Sequence, residues 1–178
     1  LLESSGVDPS LLSDMNKDVN RLSVIAERFS KIGSKPEMEL IYVNEVLENA
    51  TEYMRRRVSD KVLITTHLPS DAEGAMVCLS LFEWVIENLC KNAVDAMNGE
   101  GRIDVYMTSE KQQIYIDIKD TGKGIARKNF KTVFNPGYTT KKRGWGLGLT
   151  LAKRIIEDYH AGRIYVKDSE VGKGTTFR

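Results

Sequence analysis

The chain has 178 residues, 41% of them hydrophobic and 29% charged, with a formal net charge of +1. That length holds one well-packed domain plus an appendage, not two full domains, and the near-neutral balance leaves no electrostatic footprint for nucleic acid. No apolar run approaches the roughly 18 residues of a membrane span and no signal peptide stands at the start, so these residues are expected to make no membrane contact. The two cysteines, Cys78 and Cys90, read as buried thiols rather than a disulfide or metal site, which fits a reducing, cytoplasmic compartment. The chain opens at Leu1 and stops in the apolar stretch Thr175-Thr176-Phe177-Arg178, from which we expect a piece of a longer protein whose other parts include, in one version, a membrane anchor.

In chain order, residues 11–33 predict a helix with a heptad seam. Leu12, Val19 and Ala26 fall seven apart, as do Met15, Leu22 and Phe29, giving the alternating spacing of a and d positions. Asp8-Pro9 marks its start, and Gly33 followed by Pro36 its stop. The plain reading is an amphipathic helix lying on its own domain; the sharper one is a dimerisation helix in a bundle, and the narrow stripe favours the second. Beyond Pro36 the pattern turns mixed. A strand is predicted over 39–43, then a helix capped by Asn44 and running to about residue 57, then a strand over 61–67. Residues 75–97 predict one long helix with Val77, Leu81, Val85, Leu89 and Val94 as apolar positions. Two strands, 102–108 and 113–119, flank a polar turn at 109–112. From Gly122 to Gly148 the chain is rich in glycine, threonine and lysine, and a helix over 149–159 and a strand over 163–167 follow. This succession predicts an α+β fold: a two-layer α/β sandwich, helices covering one face of a mostly antiparallel sheet, preceded by the long N-terminal helix. Residues 1–34 and 35–178 are the two expected parts.

Four clusters carry chemistry, and none is specific alone. Asn88 and Asn92, four apart on one predicted helix, share a face. Their carboxamide oxygens suit a hard cation held mainly by phosphates and water, although a pair of surface asparagines reads the same way. Asp120-Thr121-Gly122-Lys123-Gly124-Ile125 follows an apolar strand. A carboxylate there accepts from an exocyclic amine, and the glycines let the backbone approach a flat ring; a tight turn is the plain alternative. Gly144-Trp145-Gly146-Leu147-Gly148-Leu149 leads into a helix, where backbone N–H groups hold anions. It is neither a P-loop nor a dinucleotide fingerprint. The loop before it, 134–143, offers hydroxyls and three successive cations, Lys141-Lys142-Arg143. Gly172-Lys173-Gly174-Thr175 is a turn into a strand, or simply a hairpin corner.

Taken in order, these clusters resemble the ATP-binding domain of sensor histidine kinases, within the superfamily shared with gyrase, Hsp90 and MutL. Asn88 and Asn92 resemble its N box; Asp120, Gly122 and Gly124 its first glycine box; Phe130 and Phe134 its F box; Gly144, Gly146 and Gly148 the second glycine box; Gly172, Gly174 and Thr175 the third. The resemblance covers residues 36 to 178 and implies the Bergerat-type fold, with ATP between helices and sheet under a lid at 126–145. By it, Asn92 binds Mg²⁺ with Asn88 in support, and Asp120 reads the adenine amino group with Thr175 helping through water. Lys141 and the Gly146–Gly148 backbone hold the phosphates. Asp95, Ile125, Tyr138, Thr139, Thr140, Leu147 and Leu149 complete the nucleotide pocket, and Asn88 and Lys141 are the residues expected to act in the transfer step.

The same resemblance recasts residues 11–33 as the second helix of a dimerisation and phosphoacceptor hairpin. It implies as partners the missing acceptor helix, a response regulator and a second copy of the parent chain. Neither His67, at a strand end, nor His160, in a structural position after the last helix, has the setting of the acceptor. The family's ATP-hydrolysing cousins carry a glutamate where this chain has Asn88, which cannot act as a base near neutral pH. Glu87 is adjacent but turned about 100° around the helix. Slow hydrolysis and phosphoryl transfer to a histidine elsewhere are therefore expected. An ATP-gated interaction module, or a serine-phosphorylating relative, are the alternatives.

Overall fold

The computed structural model describes residues 36–71, 73–141 and 144–178, with Leu12 and Met15. The chain divides between Pro36 and Glu37. The heptad helix expected over 11–33 lies outside the described residues, apart from Leu12 and Met15, which are helical.

The second unit opens with β1 (Glu39–Tyr42) and α1 (Val43–Arg55). Val43, Leu47, Ala50 and Met54 recur every three or four residues and are all buried, so α1 turns one stripe to the core. β2 (Val62–His67) and β3 (Gly74–Val77) precede α2 (Leu79–Ala96), whose buried face runs through Leu81, Val85, Leu89 and Ala93. β4 (Gly101–Glu110) and β5 (Gln113–Asp120) form a long hairpin. After two short 3-10 turns, α3 (Gly148–Arg154) runs into one wider π-helical turn, Ile155–Tyr159. β6 (Val166–Glu170) and β7 (Gly174–Phe177) follow.

Five strands make one sheet in the order β2-β4-β5-β7-β6, and β1 and β3 make a separate antiparallel ribbon. Within the larger sheet only β2–β4 is parallel; the other pairs are antiparallel. A parallel pair needs a crossover, and the segment between β2 and β4 that contains α2 supplies it. Alternation along β4 buries Ile103, Val105 and Met107, the residues on the core face of the pleat. The sheet and helices close over Leu47, Ile86, Ile103 and Ile155, each less than 2% exposed. Truncating one such side chain to alanine costs about 2–5 kcal/mol. Cys90 lies in this core, and burial pushes its thiol up to about 12, consistent with an inert buried cysteine.

The α+β sandwich and its mostly antiparallel sheet match the expectation; several boundaries do not. The helix predicted over 75–97 is two elements. Gly74–Val77 pairs with β1 as a strand, Leu40 facing Met76, and α2 begins only after Cys78, its N-cap. Asn44 does not cap α1: Tyr42 holds that position without a side-chain hydrogen bond. The turn predicted over 109–112 is shorter, because β4 and β5 pair out to Glu110 and Gln113. Lys111 and Gln112 bridge them at φ 51° and 64°, the left-handed pair that suits a tight hairpin. The strand predicted over 163–167 instead starts at Val166 and runs to Glu170.

Candidate functional site

The topology brings the turn after β5, the start of β7 and the start of α3 together along the C-terminal half of α2. β5 runs antiparallel to β4 and finishes at Asp120, opposite Ile103. The chain then turns onto the C-terminal end of α2, where the Lys123 N–H donates to the Ala96 carbonyl at 3.0 Å. β7 enters beside that turn with Thr175 opposite Asp120. α3 begins against the middle of α2, where a Cβ on Gly148 would stand 2.5 Å from Asn88 Oδ1.

Asn88, Asn92 and Asp95 project from α2 at spacings of four and three, so they line one face. Lys141 meets them: its Nζ donates to Asn92 Oδ1 at 2.8 Å and to Asp95 Oδ2 at 2.5 Å. A cation thus rests on the oxygen that the sequence assigns to a metal. Asn88 Nδ2 is buried and has no hydrogen-bond partner among the described residues. A donor left unsatisfied there costs about 1–3 kcal/mol unless an acceptor arrives. Glu87 is engaged on another face, accepting from Lys91 Nζ at 3.2 Å.

Asp120 is 3% exposed. Its Oδ1 accepts from the Gly122 N–H at 2.8 Å, and the Thr175 backbone lies opposite it across the β5–β7 ladder. Burial pushes its carboxyl above the usual aspartate range, and the neighbouring backbone N–H groups of Gly122 and Thr175 offset only part of the rise. Gly122 lies against Ala96. Gly124 has φ +70°, and a side chain there would collide with the Glu170 carbonyl oxygen, so the turn admits only glycine. Ile125 is half-buried, its N–H donating to Ser169 Oγ at 2.8 Å.

Across the site, the Lys123 ammonium donates to Thr140 Oγ1 at 2.9 Å and Thr139 Oγ1 accepts from the Lys141 N–H at 3.1 Å. The Tyr138 N–H donates to Asn135 O and the Gly137 N–H to Gly146 O, both at 3.1 Å. Leu147 is the N-cap of α3, followed by Gly148 and Leu149 in its first turn. Phe134 is buried and meets Phe177 edge-on at 6.2 Å, and Thr150 Oγ1 donates to its carbonyl at 2.9 Å. The F-box aromatic therefore anchors this segment to the core.

Asn88, Asn92, Asp95 and Lys141 thus stand together, and Asp120, Thr175 and Ile125 form the adjoining cluster. Two participants escaped the sequence reading. The Lys123–Thr140 contact joins residues 17 apart with no periodic signal. Ser169, in Asp168-Ser169-Glu170, reads as a solvated polar stretch. Both histidines are engaged elsewhere. His67 stacks on Tyr106 at 4.3 Å with its Nε2 3.2 Å from Asp104 Oδ1. His160 Nε2 accepts from the Cys78 N–H at 3.0 Å and its Nδ1 lies 2.8 Å from the Ile155 carbonyl, which fixes Nδ1 as the protonated nitrogen.

Known proteins share this family and fold. The family described as histidine kinase-, DNA gyrase B-, and HSP90-like ATPase matches residues 79–178. Sporulation kinase A of Bacillus subtilis (strain 168) is 42% identical over 94 residues, 53% of this chain and 15% of that protein. Sensor histidine kinase ZraS of Escherichia coli (strain K12) is 41% identical over 93 residues, 52% of this chain and 20% of that protein. The chain therefore spans a minor part of the curated relatives it matches. Among solved structures, the catalytic domain of histidine kinase ThkA superposes with a TM-score of 0.71 at 22% identity, covering 79% of this chain and 92% of that one. ThkA in complex with response regulator protein TrrA gives 0.75 at 20% identity, covering 98% of this chain and 52% of that one. The chain belongs to the histidine kinase-, DNA gyrase B- and HSP90-like ATPase family, and it has the fold of the ATP-binding catalytic domain of sensor histidine kinases.

Proposed function

We propose that this chain binds Mg²⁺–ATP at the site between α2, the Asp120 turn, β7 and α3, and donates the γ-phosphoryl group to a histidine outside residues 1–178. The observation that carries the reading is the Asn92 carboxamide oxygen, which already holds a cation, the Lys141 ammonium, beside the orphaned Nδ2 of Asn88. Both fit a Mg²⁺–triphosphate: Asn92 would hold the metal, and Asn88 Nδ2 would find an acceptor. When bound, Mg²⁺ supplies positive charge that neutralises the phosphate oxygens as the terminal group departs.

The chain's own residues do the rest. Asp120 and Thr175 hold the base, the Gly146–Gly148 backbone and Lys141 hold the phosphates, and Asp95 keeps the Lys141 ammonium at hand. In the transfer the bond from the terminal phosphorus to the ADP oxygen breaks, ADP keeps its electron pair, and an imidazole nitrogen bonds phosphorus. Such a reaction is served mostly by positioning and electrostatics. Asn88 offers no base to activate water, and Glu87 is paired with Lys91, which supports transfer over hydrolysis. His160 has both ring nitrogens engaged, which supports an acceptor elsewhere.

In this reading residues 1–34 are the second helix of a phosphoacceptor hairpin and 35–178 the catalytic part. The parent chain is a homodimer acting in the cytoplasm, and a response regulator takes the phosphate. The ThkA–TrrA complex, a related fold bound to a response regulator, supports that partner. The test is calorimetric titration with ATP, with and without Mg²⁺. Asn92→Ala is expected to weaken binding roughly tenfold more with Mg²⁺ than without, and equal losses in both conditions would remove Asn92 from the metal.

A further inference from the structure

This inference rests on the ATP-site reading and concerns how the base is chosen. Ser169 lies opposite Thr175 in the β6–β7 ladder. Its Oγ is 2.8 Å from the Ile125 N–H nitrogen, 2.8 Å from the Gly174 carbonyl oxygen and 2.9 Å from Thr175 Oγ1. A hydroxyl has one proton and two lone pairs. A carbonyl only accepts, so the Ser169 proton goes to Gly174 O. An amide N–H only donates, so it fills one Ser169 lone pair. The remaining lone pair faces Thr175 Oγ1, whose proton must therefore point at Ser169. Thr175, 4% exposed, is left with lone pairs alone for its other neighbours. Across the ladder its partner Asp120, when ionised, also only accepts.

We propose that Ser169 is a specificity-determining positioning residue. It turns the Thr175 hydroxyl proton inward, so that Asp120 and Thr175 present an edge of acceptors that takes a purine with a 6-amino group and rejects one with a 6-oxo group. A 6-oxo purine would set a lone pair against acceptors that cannot reorient, leaving buried polar groups unpaired. Nothing in the residue itself marks it. The role comes from the strand register that seats one hydroxyl among three partners.

The test compares ATP with inosine triphosphate, which carries the 6-oxo group, in competition against a fluorescent adenine nucleotide on the whole chain. Ser169→Ala frees the Thr175 proton to rotate outward. The ratio of the two dissociation constants, inosine triphosphate over ATP, is expected to fall by about tenfold. Ser169→Thr, which keeps the hydroxyl, is expected to restore it. A merely structural serine would weaken both nucleotides together and leave the ratio unmoved. A Ser169→Ala ratio equal to that of the wild type overturns the inference while leaving the ATP site standing. Failure of the wild type to bind either nucleotide overturns the ATP-site reading and this inference with it. Should Ser169→Ala melt before binding is read, Ser169→Cys, a weak donor and acceptor, gives the same outcomes at smaller amplitude.

Discussion

Asp120 is held between two opposed demands. In the proposed role of base-reading acceptor it must be ionised, yet its buried place beside β7 removes water and favours the protonated form. Its carboxyl is raised above the ordinary aspartate range chiefly by burial. A folded-state value above the unfolded one means that the folded chain binds this proton more tightly. The associated stability is present below the unfolded value and is lost as pH rises through the folded one. Asp120→Asn removes this titration. The melting temperature of the wild type minus that of Asp120→Asn should therefore be greatest at acidic pH and shrink as pH rises. A difference that is flat with pH, or grows, would contradict the raised carboxyl. The same variant should erode the preference for ATP over GTP in a competition assay, and an unchanged preference would remove Asp120 from the base.

Among elements, α2 does most to place the site, and His160 fixes where α2 starts. Its Nε2 accepts the Cys78 N–H at the helix N-cap while its Nδ1 donates to Ile155 O at the π turn, tying the two helical segments together. His160→Ala should lower unfolding stability by about 1–3 kcal/mol, read from denaturant unfolding, with phosphate-site residues chemically unchanged. A loss under about 0.5 kcal/mol, the range of an ordinary surface substitution, would contradict the tie. The elements also show what a sequence can and cannot reveal. Asn88 and Asn92 were legible because helical spacing alone puts them on one face, and Asp95 only through the resemblance. β3 was not, because Ala75, Met76 and Val77 continue the apolar pattern of the helix behind them and only the remote pairing with β1 makes them a strand. The β4–β5 hairpin was legible from its two strands and polar turn, but its tightness was not, because Lys111-Gln112 lacks the Asn-Gly or Asp-Gly signal that marks such turns. The Lys141 contact with Asn92 and Asp95 spans 49 and 46 residues, a closure that only the folded chain reveals.

At the scale of the whole molecule, the separate clusters become one device because the crossover through α2, the end of β5 and the start of β7 converge. In the proposed reading, an ATP site whose described residues place no water-activating base beside Asn92 is suited to hand its phosphoryl group to another side chain. The described part offers no histidine for it, since His67 and His160 are held by Asp104, Tyr106, Cys78 and Ile155. The most direct measurement uses γ-labelled ATP and Mg²⁺, comparing this chain with one extended upstream through the expected acceptor helix. The account predicts that this chain binds ATP, releases labelled phosphate only slowly and keeps no label. It also predicts that the extended chain becomes labelled and that acid removes the label, as it does from phosphohistidine. Rapid release of labelled phosphate by this chain, or an acid-stable label on the extended one, would contradict it.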